Sequence, residues 1–296
     1  FRVASTKPQF VDYVAGVFFF DGKNDERYQR DVTRCANTTG TTGANGLTPC
    51  SAGSLTLDNG IANYGVRAKS TAVFGEGTFN FTPTLRGILG LRRTQDDLSY
   101  YHQRVSTASV VIPGVQLSRP YTTGSTSIDG TSGRVGAQFD LNKDMMLYAT
   151  YSRGYKGPAY NAFFNMTATA DVALSPERSK GYEIGLKSQL MDNKVRLNIA
   201  AFDTRYTGYQ ANYPDLVAGT VVTRFINAGD VSTRGLELDA QARISRSLTL
   251  AAAYAHTNAK VDKFNCPVGA TCPALEGNPL PSAPKRKGVV RATHKS

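Results

Sequence analysis

Apolar and polar residues alternate with a period of two through much of the chain. In VRLNIAAF, Val195, Leu197, Ile199 and Ala201 share one face, while Arg196, Asn198, Ala200 and Phe202 take the other. GLELDAQARI sets Leu236, Leu238, Ala240 and Ala242 against Glu237, Asp239, Gln241 and Arg243. RVGAQFDL sets Val135, Ala137, Phe139 and Leu141 against Arg134, Gly136, Gln138 and Asp140. Such alternation predicts strands with one apolar and one strongly polar face. It extends to about ten strands, at 11–21, 64–82, 85–99, 130–141, 145–156, 176–190, 195–211, 221–244, 248–261 and 285–295.

The connections are of two kinds. NFTPTL, LNKDM, LMDNKV and ISRSL join long strands through a few Pro, Asn, Asp, Lys or Ser residues, which predicts tight hairpins. At the other strand ends, irregular segments are expected near 22–63, 100–129, 157–175, 212–220 and 262–284. Several exceed the ~12–15 residues usual for an unstructured connection in a compact domain. Short turns at one end and long loops at the other mark an antiparallel up-and-down β-barrel that crosses a membrane. A sandwich would mix its connections at both ends. The fold class expected is therefore all-β, a transmembrane barrel segment, with the long loops outside the cell.

Under that arrangement the polar face lines a lumen. Arg134, Glu183, Arg196, Glu237 and Asp239 point inward, with Glu76, Arg86, Arg92, Gln138, Asp140, Lys187 and Arg243. An Arg or Lys turned to lipid at mid-bilayer would cost ~2–4 kcal/mol. No stretch approaches 18 consecutive apolar residues, so transmembrane helices are excluded. The net charge of +11 comes from 34 basic and 23 acidic residues. It is scattered rather than run together, which argues against nucleic acid and leaves anionic lipid or ligand as partners.

The four cysteines fall in two local pairs, Cys35 with Cys50 and Cys266 with Cys272. No His lies at ligand spacing, so no metal site is expected. Disulfides in an oxidising compartment fit these loops, with free thiols as the alternative. The first pair would contribute about 3 kcal/mol by loop closure. His102, His256 and His294 stand far apart, with no GxSxG in the chain, so no catalytic residue and no cofactor is assigned. The plausible ligand chemistry lies at the loop rim, in Tyr100, Tyr101, His102 and Arg104 and again in Arg153, Tyr155, Lys156 and Tyr160. Basic groups with tyrosines suit an anionic aromatic ligand. Interfacial aromatic girdles account for many of the same tyrosines.

Five stretches in order resemble TonB-dependent outer-membrane receptors. They are AVFGEGTFNFTPTLRGILGLR, LYATYSRGYKGPAYN, LSPERSKGYEIGLKSQLMDNKVRLNIAAFDTRYTGYQ, NAGDVSTRGLELDAQARI and NPLPSAPKRKGVV. The resemblance implies a bacterial outer-membrane barrel of twenty-two strands, plugged by an amino-terminal domain. Residues 1–296 would then be part of such a barrel, about ten strands of it, without plug or terminal strands. The chain begins at Phe1 without an initiator Met or basic leader, and ends at His294-Lys295-Ser296 without a terminal aromatic. The implied function is TonB-dependent uptake of a ferric siderophore or similar nutrient chelate. The implied partners are that chelate, the TonB complex through the missing amino-terminal region, and outer-membrane lipid or lipopolysaccharide. A passive porin and an outer-membrane barrel enzyme are the alternatives.

Overall fold

The computed structural model describes residues 1–294 apart from Pro8, Asn45, 218–219 and 268–271. Eleven strands follow one another: β1 (Arg2–Ala4), β2 (Val11–Cys35), β3 (Leu55–Asn80), β4 (Leu85–Ser106), β5 (Arg119–Asn142), β6 (Met145–Lys156), β7 (Glu177–Leu190), β8 (Val195–Val217), β9 (Thr220–Arg243), β10 (Leu248–Phe264) and β11 (Arg286–His294). They form one antiparallel sheet in chain order, with β1 and β11 as its two edges. A single 3₁₀ turn at Ala168–Ala170 interrupts the last part of the β6–β7 connection.

The sequence anticipates ten of these strands. The eleventh, β1, has only three residues, too few for alternation to reveal. The strands also run further toward the long-connection end than the hydrophobic pattern suggests. Segment 22–63 is mostly strand, because Lys23 through Cys35 pair in register with Arg67 down to Leu55. Likewise β4 continues to Ser106 and β5 starts at Arg119, leaving 107–118 as the connection. In 212–220, β8 runs to Val217 and β9 starts at Thr220. Residues Lys295 and Ser296 lie outside the described part.

Three of the four short turns close with their own side chains, and the fourth closes through the Lys194 N–H to the Met191 carbonyl at 3.1 Å. Thr82 Oγ1 accepts from the Leu85 N–H at 2.9 Å, and Ser245 Oγ from the Leu248 N–H at 3.0 Å. Asn142 Oδ1 accepts from the Asp144 N–H at 2.8 Å. Met191, Asp192 and Asn193 adopt positive φ of 54°, 54° and 63°, a conformation Asn and Asp tolerate better than most residues.

Ladder register makes the two faces explicit. One carries Leu85, Leu89, Leu91, Val135, Phe139, Tyr182, Ile184, Leu236 and Val290, all more than a third exposed. The other carries Arg134, Glu183, Arg196, Glu237 and Asp239 together. Arg134 grips Glu76 at 2.8 and 2.6 Å, reaching across the intervening strand at Gly90. Arg86 holds Asp140 at 2.8 and 2.6 Å, and Arg196 reaches Asp239 at 3.5 Å. Tyr148 lies over Gly185, donates to Glu183 at 2.6 Å and carries the Lys187 ammonium 5.3 Å from its ring centre. A Cβ at Gly185 would come within 2.6 Å of that ring. Gly185→Val is therefore expected to displace Tyr148 and cost about 1–3 kcal/mol. Denaturant unfolding in detergent would show this as a lower midpoint, and an unchanged midpoint would contradict the packing described.

Candidate functional site

The polar face at the long-connection end is covered by the chain's own 157–175 segment. Tyr100, His102 and Arg104 stand on that face of β4 at alternate positions, opposite Val66, Tyr64 and Ala62 of β3. Phe164 packs on Ala62 and Tyr64, and Met166 with Ala170 packs on Tyr100. All of these are buried, and His102 and Met166 have no exposed surface. Apolar burial of this kind contributes roughly 1.5–3 kcal/mol per large side chain and drives the segment onto the sheet.

Polar contacts fix its path. The Arg104 guanidinium donates to the carbonyls of Leu117 (2.9 Å), Phe164 (2.7 Å) and Met166 (3.3 Å). His102 Nε2 lies 3.4 Å from the Phe164 carbonyl, and its ring stacks on Tyr64 at 5.9 Å. Asp171 accepts from Tyr100 at 2.5 Å and also from Arg119. Tyr160 meets Tyr100 ring to ring at 4.7 Å, so the two tyrosine-rich stretches seen in the sequence come together. Asn165 bridges to the 107–118 connection, donating to Gly114 and accepting from the Gln116 N–H.

The far end of the strap is tied to β8 and β9 by three amides that stand at the ends of the family-like stretches and to which the sequence assigned no role. Asn161 exchanges two hydrogen bonds with the Phe225 backbone, at 2.6 and 2.8 Å. Gln210 donates to the carbonyls of Gly157 and Ser175, both at 2.9 Å. Asn227 accepts from the Ser175 N–H and donates to the Ser175 and Gly208 carbonyls, each at 2.8 Å. Asn161 lies in the β6–β7 connection and Gln210 and Asn227 on β8 and β9, and only the fold brings 161 beside 225.

Burial sets the ionisation of this core. His102 lies about 55 Å along β4 from the short turn at Leu85, at ~3.3 Å per residue, well beyond an apolar band ~25 Å tall. Its pKa is pushed down to about 4, first by burial, with the charges of Arg104 and Arg119 adding. Burial also lowers Arg104 to about 10, which leaves it protonated at neutral pH. Tyr100 is raised to about 12 by burial and then by Asp171.

The other predicted rim residues lie elsewhere. Tyr101 is on the apolar-band side of β4, donating to Asp25 at 2.9 Å and stacked on Tyr121 at 5.9 Å. Arg153 is exposed on that side too, opposite Gly133 and Lys180. The Tyr155 ring lies against Gly130. Lys156 is 3.8 Å from Glu177 and 5.1 Å from the Phe225 ring centre, with its side chain about half exposed. The four cysteines join as Cys35–Cys50 and Cys266–Cys272, with Cα atoms 5.5 and 5.8 Å apart. Tyr213 lies 3.3 Å from Cys272 Sγ. Among the described residues no three His, Cys, Asp or Glu side chains gather as a metal site.

Residues 7–295 match the family described as TonB dependent receptor-like, beta-barrel. The chain belongs to this family. Its relatives include the metal-pseudopaline receptor CntO of Pseudomonas aeruginosa, 25% identical over 171 residues, which are 54% of this chain and 20% of CntO. The probable TonB-dependent siderophore receptor PiuA of Acinetobacter baumannii is 22% identical over 241 residues, 79% of this chain and 30% of its own. Among solved structures, the ferric yersiniabactin uptake receptor FyuA from Yersinia pestis superposes with a TM-score of 0.72 at 18% identity, covering 99% of this chain and 38% of FyuA. PiuA superposes with a TM-score of 0.69 at 19% identity, covering 99% and 43%. These superpositions establish the receptor-barrel fold. This TonB-dependent receptor chain spans about a fifth to a third of the curated relatives' length.

Proposed function

We propose that the chain is part of a bacterial outer-membrane receptor that takes up a ferric siderophore, or a similar metal chelate, in a TonB-dependent way. The family match over 7–295, with siderophore and metal-chelate receptors among the relatives, carries this reading. The charged face lines the lumen, because lipid would penalise its arginines and lysines. The connections at 36–54, 107–118, 157–176 and 265–285 face outward from the cell. His102, Arg104 and Tyr100 hold the strap, while Lys156 and Tyr160 stand at its border as ligand contacts. The TonB complex acts through a region outside this chain.

Uptake of a radiolabelled ferric siderophore by cells carrying the full-length receptor tests the proposal. Uptake is expected to disappear in cells lacking TonB. Uptake that persists without TonB would instead mark a passive pore. Lys156→Glu is expected to weaken chelate binding about tenfold through charge reversal, with surface abundance unchanged.

A further inference from the structure

The excess positive charge is not spread evenly along the rim of the apolar band. On β2–β5 the first rows above the band are balanced. Arg67 pairs with Asp21 at 2.6 Å, Lys23 with Asp25 at 2.6 Å and Arg93 with Asp129 at 2.7 Å. Lys69 stands directly opposite Asp97.

On β6–β9 the same height is unbalanced. Tyr151 and Tyr182 close the band there, with ring centres 4.9 Å apart and planes tilted by 40°. One step further, register sets Arg153 opposite Lys180 and Lys180 opposite Arg205. Arg178 follows on β7, two residues from Lys180, and Arg234 lies opposite Asp203 on β9. All five cations are exposed. Among the described residues the carboxylate that answers them is Asp203, 3.7 Å from Arg205. Asp230 lies higher and is engaged by the Gly208 N–H. Like charges directly opposite on neighbouring strands destabilise a sheet unless something neutralises them.

We infer that the β6–β9 rim, formed by Arg153, Arg178, Lys180, Arg205 and Arg234 above the Tyr151–Tyr182 pair, binds the phosphate of an outer-leaflet lipid. A multiply charged phosphate oxyanion accepts from several guanidinium and ammonium donors at once, relieving the repulsion between adjacent strands. The site adjoins the surface of Tyr151, Tyr182, Ile184 and Val135, so acyl chains lie on the band while the headgroup sits on the cations. A free anion would use only half of this surface. The inference rests on the outer-membrane placement proposed above but requires neither siderophore nor TonB. Loss of uptake with lipid retention intact would therefore leave it standing.

The test is native mass spectrometry of the full-length receptor in detergent, titrated with bisphosphorylated lipid A, with the same lipid stripped of phosphate, and with inorganic phosphate. The wild type is expected to retain the bisphosphorylated lipid at least about tenfold better than the stripped one, with affinity falling steeply as salt rises. The triple variant Arg153→Gln, Lys180→Gln, Arg205→Gln is expected to lose that preference, whereas Arg93→Gln on the balanced side keeps it. Equal retention by wild type and triple variant would overturn the site. Equal retention of both lipids would reduce it to tail contact and overturn it, as would displacement of the lipid by millimolar inorganic phosphate. If the triple variant fails the heat-modifiability check for folding, Lys180→Gln and the wild-type salt titration decide the same question.

Discussion

Arg104→Met is expected to free the 157–175 strap from the sheet while the strands stay folded. Arg104 is 4% exposed, and its guanidinium holds three carbonyls from two different connections. Methionine fills much of the volume but donates nothing, so these buried acceptors lose their partner at about 1–3 kcal/mol each. Relief from burying a charge offsets part of that, leaving a net loss of roughly 2–4 kcal/mol in local strap stability. Hydrogen exchange across 157–175 should then accelerate about a hundredfold. Exchange within β7–β10 should not move. A strap as protected in the variant as in the wild type would refute the anchoring role.

Acidification should loosen the same segment through His102. Its pKa in the closed state is about 4, below the ordinary 6.5 that it regains when the strap opens. Between these values the open state takes up a proton that the closed state excludes, so closure is fully stable above about 6.5 and is lost as pH falls toward 4. At pH 5 the loss is roughly 2 kcal/mol, about a thirtyfold rise in strap opening. The groups facing the ring explain the exclusion. Arg104 and Arg119 repel an added charge, Tyr64 offers only its face, and Nδ1 has no partner. Asp171, the nearby carboxylate, is already engaged by Tyr100 and Arg119. His102→Phe keeps a ring against Tyr64 and removes the proton site, so its exchange rates, corrected for intrinsic chemistry, should be flat from pH 7.5 to 5. A thirtyfold acid response surviving in that variant would assign the effect to another group.

Where the chain meets lipid, its sequence was nearly sufficient. Val195–Ala201 and Leu236–Ala242 alternate because one face is apolar and the other wet, and three of the short turns carry their own Thr, Asn and Ser caps. Beyond the band both faces are hydrated, so the pattern fades although the strands continue. DGKNDERYQRDVTRC has no apolar alternation, yet it pairs without a break from Lys23↔Arg67 to Cys35↔Leu55. Its strand character comes from cross-strand hydrogen bonds and ion pairs such as Arg67–Asp21, which a linear pattern does not display.

The rim residues show the same division. Tyr100, His102 and Arg104 declared themselves as a polar aromatic cluster, but composition alone cannot tell a ligand's contact from a segment's anchor. That depended on Phe164 and Met166, sixty or more residues away in the chain, reaching the same face of β4. Asn161, Gln210 and Asn227 stand at the ends of the family-like stretches, but their role was hidden for the same reason: their partners are backbone groups of other elements. The rows Arg153–Lys180–Arg205 and Lys69–Asp97 likewise exist only once register is set. The sequence by itself determined the strands that cross the apolar band, their polarity and the family, because lipid imposes a strict period of two. Tertiary structure alone decided how far the strands extend, what the strap covers and where the surplus charge gathers, because these follow from pairing between residues distant in the chain.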